Sequence, residues 1–97
     1  MSNKMQESSR GRLSAYAKRI RALREDNDMT QTQIADILPV GQHTYSDYEL
    51  SYTRIPVDSL IKLAAYFDVD MNYICGLTDV KRPFPANREQ VLKESEK

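Results

Sequence analysis

The 97 residues carry 14 Lys and Arg against 14 Asp and Glu, a formal net charge of zero, with 40% hydrophobic residues and one cysteine. That length suits one domain around one core. The lone Cys75 excludes an intramolecular disulfide and a multi-cysteine zinc site, and no apolar run approaches the roughly 20 residues of a membrane span.

Residues 1–12, "MSNKMQESSRGR", read as a flexible basic arm with no apolar h-region, so secretion is not indicated and a reducing cytoplasm is expected. The first helix is predicted over 14–27. Leu13, Tyr16, Ala17, Ile20 and Leu23 step by three and four, Ser9 or Ser14 caps it, and Asn27 and Asp28 end it. Thr30 is a good N-cap for a second helix that buries Ile34, Ala35, Ile37 and Leu38 and stops at Pro39. Gly41 can cap a third helix, 42–48, with Tyr45 and Tyr48 on one face.

Pro56 opens a fourth helix whose stripe is Leu60, Leu63, Ala64 and Phe67, with Ile61 beside it. Asp70 caps a fifth helix, 71–75, that Gly76 closes by permitting a left-handed residue. The tail, 80–97, is either a short helix after Asn87 or disordered. No strand-like alternation or internal repeat interrupts this order, so the chain is predicted to be all-α.

The segment 30–48 has the requirements of a helix-turn-helix. Ala35 is small where the second helix is crossed, and Ile34, Leu38, Val40, Tyr45 and Tyr48 are spaced to lock the pair together. Gln42, His43 and Thr44 lead the third helix with the polar or planar side chains that a base-facing helix tip requires. Charge is less favourable, because phosphate neutralisation supplies much of the affinity for nucleic acid. Residues 1–28 carry a net +3, residues 29–80 a net −5 and residues 81–97 a net +2. Positive charge at a DNA surface must therefore come from the first helix and the two ends.

The segments "RIRALREDNDMTQTQIADIL", "QHTYSDYE" and "RIPVDSLIKLAAYFDVDMNYICGLTD" resemble the Cro and phage-repressor type of helix-turn-helix regulators, also called XRE-like, over about two-thirds of the chain. The resemblance implies a compact five-helix, lambda-repressor-like domain over 13–79, with the helix-turn-helix at helices two and three. It also implies a homodimer that binds a double-stranded DNA operator, most often as a repressor. Carried over by position, Gln42, His43 and Asp47 would read bases. Gln42 is able to pair bidentately with adenine, and Asp47 suits cytosine N4. Gln31, Thr44, Ser46, Tyr52, Thr53 and Arg54 would hold the DNA backbone, with Arg12 and Lys18 as weaker backbone candidates. Tyr45 and Tyr48 could offer stacking faces, but their spacing assigns them mainly to the core.

Three positions depart from the family pattern. Pro39 and Ser51 stand where glycine is frequent, and Asp47 places a carboxylate on the reading face. Proline cannot supply a positive φ, so Gly41 is expected to take over the chain reversal in a rearranged turn. The alternative function is a protein-interaction module, antitoxin-like, that keeps the fold with weak DNA affinity. Positive charge from Arg19, Arg24 and Arg54 framing the third helix discriminates the two. One histidine and one distant cysteine make neither a metal site nor a nucleophile pair. No cofactor, membrane contact or enzymatic activity is expected.

Overall fold

Side-chain oxygens open several of the helices. The computed structural model describes residues 13–85 and 87–94, and among them six helices and no strand form. These are α1 Ala15–Asp26, α2 Gln31–Ile37, α3 Gln42–Glu49, α4 Val57–Phe67, α5 Met71–Ile74 and α6 Arg88–Glu94. Ser14 Oγ accepts from the Ala17 amide at 3.3 Å and caps α1. Ser9, Arg12 and the rest of the arm lie outside the described residues. Thr30 and Gln33 form a reciprocal capping box at α2, with bonds of 3.1 and 2.8 Å. Asp70 Oδ1 accepts from the Tyr73 amide at 2.8 Å and starts α5. Gly41 and Pro56 precede α3 and α4 with extended backbone and no side-chain bond.

The apolar stripes meet in one core. Ile20 and Leu23 of α1, Ile34 and Ala35 of α2, Tyr45 and Tyr48 of α3, and Leu60, Leu63 and Ala64 of α4 are buried there with Leu38, Val69 and Ile74. Ala35 is 1% exposed, which is how α3 comes close to α2. The two tyrosine rings lie edge to face, 6.2 Å apart, so they are core residues rather than stacking faces.

The turn between α2 and α3 differs from expectation. Gly41 has φ −70° and ψ 154°, so it caps α3 but does not reverse the chain. Leu38 keeps φ −80° and ψ −1° despite the proline that follows, and the Val40 amide donates to the Ala35 carbonyl at 2.9 Å. That six-residue closure normally surrounds a left-handed residue. Here it is made around Pro39 with no residue of positive φ between α2 and α3.

The loop after α3 solves its own reversal with a strained residue: Ser51 has φ +60°, where a glycine would be unstrained. Its hydroxyl accepts from the Ser14 amide at 2.9 Å, tying this loop to the cap of α1. Gly76 closes α5 at φ +79°, and a Cβ there would lie 2.7 Å from Ala15 Cβ. In the tail, the Arg88 guanidinium donates to the Ala65 and Tyr66 carbonyls near the end of α4 and so seats α6 on it.

Candidate nucleic-acid interface

α3 is short, and its two ends have different surroundings. Tyr45, Tyr48 and Glu49 are buried, whereas Gln42, His43 and Thr44 are exposed at the N-terminal tip. The spacing explains the buried end. Glu49 follows Tyr45 by four residues and therefore shares its core-facing side. A carboxylate 2% exposed needs a partner, and Arg24 of α1 supplies it in a two-pronged pair: Nε to Oε2 at 2.7 Å and Nη2 to Oε1 at 3.1 Å. Arg24 Nη1 also donates to the Met29 carbonyl at 2.9 Å, which fixes the chain entering α2.

Burial pushes the Glu49 carboxyl up. Hydrogen bonds from Arg24 and the Gln31 amide outweigh it and hold the group below its ordinary value of 4.5. The Tyr45 phenol is pushed well up, first by burial and then by the neighbouring carboxylate. Its oxygen has no partner in hydrogen-bonding geometry among the described residues, so it is close to Glu49 without making a well-formed bond.

The pair extends toward the surface. Gln31 Nε2, at the start of α2, donates to Glu49 Oε1 at 3.1 Å, and Gln42 Nε2 donates to Gln31 Oε1 at 2.7 Å. The first residues of α2 and α3 are thereby joined side by side. His43 projects with 91% of its side chain exposed, and its Nε2 lies 3.6 Å from Asp47 Oδ2, one turn on and only 24% exposed. Thr44 is exposed and Ser46 half-buried beside them. Tyr52, Thr53 and Arg54 are exposed in the loop after α3, where the Tyr52 and Thr53 amides both donate to the Asp47 carbonyl. Lys18 is exposed on α1, one turn after the Ser14 cap that binds Ser51 of that loop. Arg12 lies outside the described residues.

The expected frame of arginines is not assembled. Arg24 is engaged by Glu49, and Arg19 donates to the Tyr73 and Thr78 carbonyls and to Asp79 while lying over the Tyr73 ring. Both are held by α1's packing partners, which leaves Arg54 as the exposed member of the three. The role of Glu49 was missed in the sequence, although a signal existed: an acid in register with two core tyrosines demands a buried cation.

A family described as helix-turn-helix matches residues 20–74, a span that contains α2, the Pro39 turn and α3. The chain belongs to the helix-turn-helix family. It is 37% identical over 79 residues to an uncharacterized HTH-type transcriptional regulator, YobD, of Bacillus subtilis, covering 81% of this chain and 69% of that protein. It is 31% identical over 68 residues to the HTH-type transcriptional regulator ImmR of the same organism, covering 70% of this chain and 54% of that protein. No solved structure matches it significantly. No helix among the described residues is long and apolar enough to cross a membrane.

Proposed function

We propose that this helix-turn-helix protein is a sequence-specific DNA-binding transcriptional regulator, acting as a repressor and reading the major groove with α3. The observation that carries this is the open tip of α3, where Gln42, His43 and Thr44 are exposed and Gln42 is braced by Gln31. The regulator names of the two relatives support it. Gln42, His43 and Asp47 are the base-reading side chains. Gln31, Thr44, Ser46, Tyr52, Thr53 and Arg54 hold the backbone, with Lys18 and Arg12 in support.

As a homodimer the protein places two such tips on half-sites about 34–36 Å apart. Selection from a randomised duplex pool at low salt tests this: a two-fold operator is expected, and no enriched sequence would remove the proposal. With Arg19 and Arg24 engaged elsewhere, few phosphates are neutralised, so affinity for arbitrary DNA is weak and its salt dependence shallow.

That same engagement favours a second function, a protein-interaction or antitoxin-like module that keeps the fold with weak DNA affinity. The selection separates the two, since such a module enriches no duplex at any salt concentration.

A further inference from the structure

The loop after α3 reverses at Ser51, where glycine is frequent in the family pattern. A serine at φ +60° is strained as a glycine is not, and a contact must hold it there. Ser51 Oγ accepts from the Ser14 amide at 2.9 Å and lies 3.3 Å from Ser14 Oγ, which caps α1. Beyond the loop, the Ile55 amide donates to the Tyr16 hydroxyl at 3.4 Å. The exposed triplet Tyr52, Thr53 and Arg54 is thus tied at both of its ends to the first turn of α1. That turn is a fixed post, because Ala17 and Ile20 behind it are buried. Arg54 is exposed and, unlike Arg19 and Arg24, makes no ion pair among the described residues.

We infer that Ser51 is a positioning residue for the DNA backbone: its hydroxyl binds the loop to α1 and so fixes where Arg54 meets a phosphate, an inference that rests on the proposed binding of DNA by this face. A loop without that bond must be ordered on the duplex, and the ordering cost opposes the contact it makes. A loop fixed in advance carries no such cost. A glycine at position 51 would reverse the chain without strain and yet leave Arg54 unplaced. Phosphate contacts carry no direct sequence information, so the effect falls on all duplexes alike. Lys18 provides an internal comparison, since α1 itself carries it.

Ser51→Gly removes the hydroxyl and relieves the strain, so the fold is retained, whereas Ser51→Ala removes the hydroxyl and keeps the strain. Each variant is titrated over a salt series with the operator that wild type selects and with a scrambled duplex. Both variants are expected to bind both duplexes about 5-fold more weakly at about 0.15 M salt. The slope of log affinity against log salt should become shallower by about one, the value of one phosphate contact. Base preferences in duplex selection should stay as in wild type. Arg54→Gln is expected to weaken wild type by the same factor but Ser51→Gly by less than about 2-fold, because the two residues act as one unit. Lys18→Gln should cost the same in both backgrounds.

A Ser51→Gly protein that binds as tightly as wild type overturns the inference and leaves α3 as the reader. Equal costs of Arg54→Gln in the two backgrounds overturn it too, as does a base preference lost in Ser51→Gly. A wild-type protein that binds no duplex removes both the inference and the function beneath it. In the DNA-free protein, the Ser14 amide precedes the helical bonds of α1 and has the Ser51 hydroxyl to protect it. Its hydrogen exchange by NMR should be slow in wild type and fast in Ser51→Gly, and equal exchange in the two overturns the inference without reference to DNA.

Discussion

The two ends of α3 are eight residues of one helix under opposite constraints. At the C-terminal end, Tyr45, Tyr48 and Glu49 face the core, and every polar atom there must be accounted for. At the N-terminal end, Gln42, His43 and Thr44 face solvent, and their chemistry is free to serve a ligand. Stability is concentrated at one end and recognition at the other. The Glu49–Gln31–Gln42 bonds are what join them.

Removing the buried carboxylate should break this division most severely. Glu49→Ala strips Arg24, at 12% side-chain exposure, of its two-pronged partner and leaves it the Met29 carbonyl and Glu25 at 3.9 Å, and is expected to cost about 3 kcal/mol in chemical denaturation. Acid should do part of the same without a mutation. The Glu49 pKa is depressed in the folded state, so its contribution is present above the ordinary value of 4.5 and is lost as pH falls through the lower folded value. A denaturation series across that acid range should therefore slope more in wild type than in a Glu49→Gln protein, where this proton is absent.

The Tyr45 hydroxyl is buried without a hydrogen-bond partner among the described residues, and Tyr45→Phe should remove that cost while keeping the ring. A gain of about 1 kcal/mol is expected, read as a raised denaturation midpoint with an unchanged slope. At the opposite end, Gln42→Ala should change stability by less than about 0.5 kcal/mol, and yet abolish preference at one base position in duplex selection. A large stability loss from Gln42→Ala would erase the contrast between the two ends.

Helix positions and caps were legible along the chain because they depend on neighbours a few residues away. Ser14, Thr30, Gly41, Pro56, Asp70 and Gly76 each punctuate a helix where local chemistry places them. The turn was less legible. A missing glycine at Pro39 implied a substitute at Gly41, whereas the chain closes with the Val40 amide on the Ala35 carbonyl and needs no left-handed residue. The absent glycine at Ser51 has the opposite outcome, a serine held at positive φ with its hydroxyl bound to the α1 cap.

By itself the order of residues determined an all-helical domain, the identity of its core faces, and a polar tip leading α3, since periodicity and capping are short-range properties of the backbone. What only the tertiary structure decided is where the charges go. Arg19 and Arg24 look like free cations in the sequence, and folding directs one to the end of α5 and the other to Glu49. Residues 25 and 54 positions away in the chain supply those partners, and no local pattern encodes such distances.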